Sequence, residues 1–183
     1  MDTIKIALCG QLRSGKNLVA NIMNEFAEFE EYAFAEGIWE VIELLFPEQN
    51  DKQNKPRKLL QGLGQGLRQI DPDVWVNRLM KRVQDSDLSN IIVTDLRQMN
   101  EYNALREAGF FIIRIESSVE SRIKRAEAKG DKFDYNDLLH ETEKFVNGFK
   151  VDHVIKNEGT IDDLRSEVIE AIVRADMFRR GGV

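Results

Sequence analysis

The sequence predicts an α/β fold, with a five-stranded parallel sheet flanked by helices on both faces. Five short apolar runs alternate with segments in which apolar residues recur at helical spacing. The first run, residues 4–9, is apolar except at Lys5, which is typical of a strand covered on both faces. Strands that alternate with helices in this way form a parallel sheet through right-handed crossovers. Such sheets bind ligands at the carboxyl ends of their strands.

The first half of the chain predicts two strands and four helices. A helix over residues 16–29 follows the first strand, because apolar residues recur at positions 18, 19, 22, 23 and 26. Residues 32–34 are the second strand, and the next helix begins at residue 38 and ends before Pro47. The polar segment 48–58 is an exposed loop. Two further helices cover residues 58–69 and 73–83, and Asp71 or Asp73 caps the second.

The second half continues the alternation. Residues 91–95 form a buried strand that ends in a carboxylate, and a turn at Gly109 separates the next helix from the fourth strand. The predicted elements are a strand over 91–95, a helix over 100–108, a strand over 110–115, a helix through residue 125, a helix around 138–145, a strand over 153–155 and a terminal helix over 161–178.

Composition excludes several functional classes. The chain has 183 residues, enough for one well-buried domain, and a formal net charge of −6. Its pI near 5.1 argues against general nucleic-acid binding. The sequence has neither an apolar run long enough to span a membrane nor a signal peptide, so no membrane partner is expected. The only cysteine, Cys9, lies in an apolar strand, which predicts inert packing in a reducing cytoplasm.

A glycine-rich motif, GQLRSGK at residues 10–16, follows the first strand. It fits the phosphate-binding pattern G-x-x-x-x-G-K, and its position between an apolar strand and an amphipathic helix supports the match. In such a loop backbone N–H groups surround phosphate oxygens, and Lys16 reaches the β- and γ-phosphates. The alternative is a strand-to-helix turn with a fortuitous lysine. The predicted nucleotide-binding residues of this segment are Gly10, Arg13, Ser14, Gly15, Lys16 and Asn17.

Asn17 stands where this pattern usually ends in Ser or Thr, whose hydroxyl ligates Mg²⁺. An amide oxygen also ligates a hard cation, although its side chain is longer and uncharged. Phosphate binding does not need residue 17, because Lys16 and the backbone supply it. Asn17 is therefore a candidate ligand of Mg²⁺.

The segment TDLRQMNE, residues 94–101, follows the third strand. Asp95 lies where a carboxylate serving Mg²⁺ is expected beside a phosphate loop, and it is the second metal candidate. Arg97 is placed to bind a phosphate of an acceptor through its two-pronged guanidinium. The alternative is a surface salt bridge between Asp95 and Arg97, which contributes little to stability.

Arginines also follow the fourth strand, in RIESSVESRIKRAEAKGDKFD at residues 114–134. Arg122 and Arg125 lie three residues apart and so share a helical face. In a phosphoryl-transfer enzyme such arginines stabilise charge on the transferring group. The alternative is a solvated helix face on which Glu120 and Lys124 form a pair.

The helical segment between the second and third strands holds candidates for binding an acceptor. Gln61 and Arg68 share a helix face because they are seven residues apart, and Trp75 supplies an aromatic wall. The simpler interpretation is that Trp75 and the leucines at positions 59, 60, 63 and 67 are core residues.

These segments resemble the deoxynucleoside monophosphate kinases of bacteriophages and bacteria, which are similar to dephospho-coenzyme A kinases. The resemblance covers nearly the whole chain. It rests on GQLRSGKN, FAEGIWE, RKLLQGLGQGLRQIDPDVWV, TDLRQMNEYNALREAG, RIESSVESRIKR, LLHETE and VIKNEGTIDDL.

The resemblance implies a P-loop NTPase fold of the nucleoside monophosphate kinase type. It implies transfer of the γ-phosphoryl group of ATP, with Mg²⁺, to a deoxynucleoside monophosphate. It also implies a single domain over residues 1–183, with a core in 1–34, 88–117 and 151–183, an acceptor-binding insert at about 35–87 and a lid at about 118–150.

Individual roles also come from the resemblance. Lys16, Arg97, Arg122 and Arg125 are the predicted catalytic residues, with Arg122 and Arg125 on the lid. Asp95 serves Mg²⁺, and Asn157 lies near the adenine. The predicted acceptor-binding residues are Glu36, Arg57, Gln61, Arg68, Trp75 and Arg97.

Two departures from the family pattern raise alternatives. Relatives usually have Asp where this chain has Asn17, and they read F-A-D-P-L-K where this chain has FAEGIW at residues 34–39. Glu36 keeps the carboxylate, but Trp39 replaces a lysine. A kinase of another small acceptor, such as one like dephospho-coenzyme A, and a nucleotide-binding protein without catalysis are the alternatives. The expected partners are small-molecule nucleotides, and a homodimer is left open.

Overall fold

The computed structural model describes residues 3–86, 90–128 and 146–181. Within them, the strands are β1 (Ile4–Gly10), β2 (Glu30–Tyr32), β3 (Asn90–Leu96), β4 (Phe111–Glu116) and β5 (His153–Lys156). The α-helices are α1 (Lys16–Phe26), α2 (Ala35–Leu45), α3 (Arg57–Ile70), α4 (Val74–Gln84), α5 (Met99–Glu107), α6 (Val119–Ala128) and α7 (Ile161–Arg179). A short 3-10 helix covers Pro47–Gln49.

The five strands form one parallel sheet in the order β2-β3-β1-β4-β5. Ile6 of β1 pairs with Ile92 on one side and with Phe111 on the other, so β1 is central. This arrangement confirms the predicted fold class. It also brings the carboxyl ends of β1, β3, β4 and β5 to one edge of the sheet.

The described residues cluster into two compact units. The core unit contains residues 3–31, 90–128 and 146–181, and the helical unit contains residues 32–86. The predicted insert and lid boundaries stay predictions. Most of the predicted lid, including the predicted helix at 138–145, lies outside the described residues.

The centre of the core unit is apolar. Ile6 and Leu8 of β1 are fully buried, and they pack with Val19 and Met23 of α1 and with Val168 of α7. The prediction that β1 is covered on both faces is therefore confirmed, since residues 6–9 have no exposed surface. Each large side chain buried in this way contributes about 1.5–3 kcal/mol relative to exposure.

One cluster fixes the chain where it enters β5. Arg106 of α5 forms an ion pair with Asp152 at 2.5 Å, and the rings of Tyr102 and Phe149 stack with centroids 4.9 Å apart. The Tyr102 hydroxyl donates to the carbonyl of Lys150 at 2.8 Å. Asp152 also accepts the backbone N–H of Ile112. These contacts hold residues 149–152 beside β4 and so set the register of β5.

The second strand is the main correction to the predicted elements. It ends at Tyr32, two residues before the predicted end, and α2 begins at Ala35 instead of residue 38. The apolar pattern at residues 32–34 arises because Tyr32 and Phe34 are buried on either side of a turn into the helix. Glu36 therefore lies in the first turn of α2, where its negative charge is favourable.

The helical unit corrects a second prediction. The four α3 leucines at positions 59, 60, 63 and 67 are only half-buried, and within α3 only Gly64 is buried. A Cβ on Gly64 would lie 3.1 Å from the side chain of Ile38. The carbonyl of Gly64 accepts the indole N–H of Trp75 at 3.1 Å. Because α3 makes contact through its backbone at Gly64, its leucines flank this contact instead of filling it.

No helix within the described residues is both long enough and apolar enough to cross a lipid bilayer.

Cys9 provides a test of the packed core. Burial raises the pKa of its thiol from 9.0 to about 12, although the charges of Arg114 and Lys16 oppose the shift. We expect the Cys9 thiol of the folded protein to react very slowly with Ellman's reagent at pH 8. The urea-unfolded chain should react and release one equivalent of the coloured thiolate. The pKa of the Cys9 thiol is higher in the folded state than in the unfolded state. Its titration therefore leaves the free energy of unfolding unchanged below pH 9 and lowers it as the pH rises from 9 towards 12. Equal labelling rates for folded and unfolded chains would contradict the burial of Cys9.

Candidate functional site

The loop between β1 and α1 has the backbone of an anion-binding site. Gly10 and Gly15 have φ values of 150° and 104°, and Arg13, which is not a glycine, also has a positive φ of 65°. Gly15 occupies the N-cap position of α1, and no side chain of the described residues caps the helix there. The first N–H groups of a helix that starts in this way can bind an anion, and the helix dipole favours a negative charge.

Both glycines are also required by close contacts. A Cβ on Gly10 would lie 2.5 Å from the carbonyl oxygen of Ile115. A Cβ on Gly15 would lie 2.1 Å from Nδ2 of Asn157. The second contact involves a buried side chain, since Asn157 is only 5% exposed. The motif spacing is thus fixed by packing as well as by backbone conformation.

Lys16 turns back over the loop. Its ammonium donates to the carbonyl of Gly10 at 2.7 Å and to the carbonyl of Gln11 at 3.1 Å. The side chain is largely buried. These bonds orient the ammonium at the carboxyl end of β1, where the predicted phosphates would lie. Asn17, the next residue, is exposed at the start of α1.

Asn157 and Arg125 brace the loop from its other side. Asn157 donates from Nδ2 to the carbonyl of Ser14 at 2.9 Å. Arg125 donates to the carbonyl of Asn157 at 2.7 Å and to Oγ of Ser117 at 2.8 Å, with longer contacts of 3.4 Å to the carbonyls of Arg13 and Ser14. In a trans peptide the C=O and N–H groups point in opposite directions. The N–H of Gly15 therefore points away from Asn157.

These contacts add a structural role to two predicted residues. Arg125 was predicted on a lid and Asn157 near an adenine, and both of these roles stay predictions. In the structure the two side chains hold the backbone of the phosphate loop. Sequence separation hid this, because Asn157 and Ser14 are 143 residues apart.

Glu158 is a site residue that the sequence did not single out. Its carboxylate accepts hydrogen bonds from the backbone N–H and Oγ of Ser118 and from Oγ of Ser121. The bonds from Ser121 and from the Ser118 backbone lower the pKa of the Glu158 carboxyl. Because Ser118 directly precedes α6, Glu158 ties the start of α6 to the segment after β5. The position of KNEG directly after a strand was the available signal.

Arg122 lies on the same helix and is 3% exposed. Its Nε and Nη1 atoms are buried and have no hydrogen-bond partner within the part of the chain that the structure describes. A buried cation with unsatisfied donors is costly unless an anion completes its hydrogen bonds. Arg122 is therefore suited to binding a phosphoryl group. The alternative helix-face pair also exists, since Glu120 and Lys124 form an exposed ion pair at 2.8 Å.

The end of β3 carries Asp95 on an irregular stretch. Ala7 pairs with Val93 and Cys9 with Leu96, so Leu8 faces two residues of β3, Thr94 and Asp95. A bulge of this kind redirects side chains at the edge of a sheet. The half-buried Asp95 is thus displaced from regular pairing at the carboxyl end of its strand.

Arg97 follows in a turn shaped by Glu101. The Glu101 carboxylate is 3% exposed, and its Oε2 accepts the backbone N–H of Arg97 at 2.9 Å and of Gln98 at 3.0 Å. Glu101 ends the TDLRQMNE segment, and sequence reasoning did not predict its role in the site. Its position at the third residue of α5 is typical of a carboxylate that caps a helix start.

The predicted acceptor-binding residues of the helical unit divide into two groups. Glu36 forms an ion pair with Arg82, Arg68 donates to the carbonyl of Gly64 at 3.3 Å, and Trp75 is 4% exposed. The core interpretation of Trp75 is therefore confirmed. Arg57 and Gln61 are exposed on α3. Glu36, Arg68 and Trp75 thus make contacts within this unit, of which only that of Trp75 is buried, and their predicted role towards an acceptor stays a prediction.

Within residues 3–86, 90–128 and 146–181, no group of three or more His, Cys, Asp or Glu side chains could hold a metal ion. A nucleotide-bound Mg²⁺ does not need such a group, since phosphates and waters supply most of its ligands. One carboxylate and one amide oxygen, as in Asp95 and Asn17, fit that pattern by chemical type.

Comparison with known proteins finds a matching family model. The model of the deoxynucleotide monophosphate kinase family matches residues 48–168, well over half of the chain. No curated protein sequence matches the chain significantly.

Several solved structures share the fold. A gluconokinase from Sinorhizobium meliloti has a TM-score of 0.61 at 15% identity, covering 93% of this chain and 91% of that chain. Shikimate kinase from Aquifex aeolicus has a TM-score of 0.54 at 16% identity, covering 92% and 96%. Shikimate kinase from Acinetobacter baumannii, solved with shikimate, has a TM-score of 0.57 at 15% identity, covering 93% of each chain. At these identities the likeness shows the P-loop kinase fold alone.

The brace predicts the effect of Asn157→Ala. The substitution removes the hydrogen bond to the carbonyl of Ser14, so the loop backbone is no longer held in place. We expect ATP affinity to fall about five- to ten-fold, which corresponds to the net free energy of one buried hydrogen bond. Titration with a fluorescent ATP analogue measures this. Asn103→Ala, at an exposed position of α5, is the matched control and should bind like the wild type. Unchanged affinity in Asn157→Ala, with an unchanged melting curve, would show that the loop holds its conformation without the brace.

Proposed function

Since this chain belongs to the deoxynucleotide monophosphate kinase family, we propose that it phosphorylates a deoxynucleoside monophosphate at the expense of ATP. A bond forms between an oxygen of the acceptor phosphate and the γ-phosphorus. The bond from that phosphorus to the β–γ bridging oxygen breaks. ADP and a deoxynucleoside diphosphate are the products.

The observation that carries this proposal is the braced phosphate loop. Gly15, the N-cap residue of α1, has a left-handed conformation and lies against Asn157, and the ammonium of Lys16 lies at the carboxyl end of β1. This arrangement offers backbone N–H groups, a helix dipole and an ammonium to one anionic group. A triphosphate is the ligand that uses all three.

Mg²⁺, when bound, neutralises the charge on the β- and γ-phosphates. Asp95 and Asn17 are the residues that would hold it, the first as a carboxylate and the second as an amide. The irregular pairing of β3 at Asp95, close to the carboxyl end of the strand, supports this role. The uncharged Asn17 would bind the ion less strongly than the aspartate that is usual in relatives.

Arg122 would stabilise the charge of the transferring phosphoryl group. Its unsatisfied Nε and Nη1 atoms supply donors in a position screened from water. Charge that develops on the equatorial oxygens would complete these hydrogen bonds. No general base is required, because positioning and charge neutralisation dominate this chemistry.

On the acceptor side, Arg97 would bind the monophosphate. Glu101 fixes the backbone of Arg97, and the guanidinium offers paired donors to phosphate oxygens. The family resemblance alone suggests further residues of the helical unit for the acceptor-binding site, namely Glu36, Arg57, Gln61, Arg68 and Trp75.

Acceptor-dependent release of ADP tests the proposal. We expect turnover with at least one of dAMP, dCMP, dGMP and dTMP in a coupled assay, and Lys16→Ala should lower it at least 100-fold by removing a phosphate contact in a low-dielectric site. CMP, UMP and dephospho-coenzyme A belong in the same screen. Turnover of dephospho-coenzyme A alone would favour the other acceptor class. ATP binding without turnover of any acceptor would favour a binding protein.

Arg122 gives a second kinetic test. We expect Arg122→Ala to lower kcat about 100-fold or more, since it removes charge stabilisation of the transition state, and to change the KM of ATP less. Lys124→Ala is the matched control, because Lys124 is an exposed cation on the same helix and forms an ion pair with Glu120. A fall in both variants would indicate a general effect of charge on α6. Wild-type kcat in Arg122→Ala would remove Arg122 from the reaction.

A further inference from the structure

The last helix, α7, is apolar on two opposite faces. The residues of its inner face are buried in the core unit, namely Leu164, Val168, Ala171 and Ala175. Its outer face carries three further apolar residues, Ile169, Val173 and Met177, which are 42%, 53% and 53% exposed. Because these three residues recur every four positions, they form a continuous row along the helix. We call them the outer row.

The outer row is not needed to hold α7 on the core. A helix on a protein surface usually directs one apolar stripe to the core and polar side chains to the solvent. Single exposed apolar residues are ordinary, but neighbouring ones on one face are typical of a surface that another molecule covers. The outer row therefore indicates a contact surface, and the charges beside it indicate which partner fits there.

The charges of α7 follow a fixed order along the helix. Residues 161–170 hold four carboxylates and one arginine, whereas residues 171–180 hold three arginines and one carboxylate. This order is favourable to the helix dipole. It also makes the helix complementary to an antiparallel copy of itself, because the acidic half of one helix would lie against the basic half of the other. The partner that this order fits is a second copy of the chain.

One register brings the apolar row and the charges together. If two copies of α7 cross antiparallel at the level of residue 171, positions equally distant from it face each other. Ile169 of each copy then packs against Val173 of the other, and Asp162 of each copy faces Arg180 of the other. Asp162 lies about three turns from Val173 and about five turns from Arg180, so these positions share the side of the outer row.

The charges at the flanks are compatible with this register. Arg165 and Asp176 lie on one side of the outer row and come within one residue of facing each other. Within one chain they form exposed or half-exposed ion pairs with Asp162 at 3.6 Å and with Arg180 at 2.7 Å, and such pairs contribute too little to resist rearrangement. On the other side Glu170 would approach its own copy, and its ion pair with Arg174 offsets this repulsion.

We propose that the outer row of α7 is the interface of a weak antiparallel homodimer. The helix has 19 residues and so offers a face about 28 Å long and about 10 Å wide. This face is smaller than the roughly 800 Å² that each partner of a stable interface buries, so the dimer forms only at high protein concentration. The outer row shares no residue with the phosphate loop, Arg97 or Arg122, and the interface is therefore independent of the proposed function.

Sedimentation equilibrium of the full chain measures the association. We expect the mass of the wild type to rise from the monomer value of 21.1 kDa at about 1 µM towards twice that value at about 200 µM. Val173→Glu should stay monomeric throughout, because it places a charge at the centre of the apolar contact. Leu44→Glu is the matched control, since Leu44 is a 78% exposed apolar residue of α2, and it should associate like the wild type.

Reversal of the two end charges tests the antiparallel register. Asp162→Lys and Arg180→Glu each place like charges opposite one another at both ends of the interface, and each should raise the dissociation constant about five-fold. The double variant restores opposite charges and should return to within about two-fold of the wild type. Because both positions are exposed, this test remains available if Val173→Glu lowers the melting temperature.

Each contrary result overturns the proposal. A wild type that is still monomeric at about 200 µM would show that a second copy does not cover the outer row. Dimerisation of Val173→Glu like the wild type would place the interface elsewhere, and equal loss in Leu44→Glu would reduce the effect to net charge. A double charge reversal that associates no better than the single variants would exclude the antiparallel register. None of these outcomes depends on turnover, so the kinase proposal stands or falls separately.

Discussion

The contact between Asn157 and Gly15 is the constraint on which the rest of the site depends. A buried amide lies so close to residue 15 that no side chain fits there, and its Nδ2 holds the carbonyl of Ser14. Since a trans peptide opposes its two polar groups, this bond also orients the N–H of Gly15. Phosphate binding by this loop is thereby prepared before any ligand arrives, which lowers the entropic cost of binding.

The segment after β5 extends this constraint to the arginines. Asn157 accepts a hydrogen bond from Arg125, and Glu158 accepts bonds from the start of α6. The same helix carries Arg122, and its proposed role of stabilising a transient charge requires that its buried donors have a fixed position. The carboxylate of Glu101 likewise accepts the backbone N–H of Arg97 and so fixes the turn that holds this arginine. In each case a polar group holds the backbone that carries a cation, which the proposed chemistry then uses.

Much of this could be predicted from local patterns. The apolar run at residues 4–9 and the helical spacing after it predicted β1 and α1, and both occur. The second strand was misplaced because Tyr32 and Phe34 are buried around a turn, a pattern that alternation alone cannot distinguish from a strand. The α3 leucines were expected in the core, but α3 packs through the backbone of Gly64, and a glycine gives no apolar signal.

The sequence by itself determined the fold class, the phosphate loop, and the identity of the cations and carboxylates near the strand ends. Local periodicity and residue type suffice for these, because they depend on backbone preference and on burial of one face. Only the tertiary structure decided which of those groups form hydrogen bonds or ion pairs with one another, and with which partners. Partners such as Asn157 and Ser14 lie 143 residues apart, and Arg125 reaches the loop across 112 residues. Such pairings follow from the register of strands in the sheet, which no short stretch of sequence encodes.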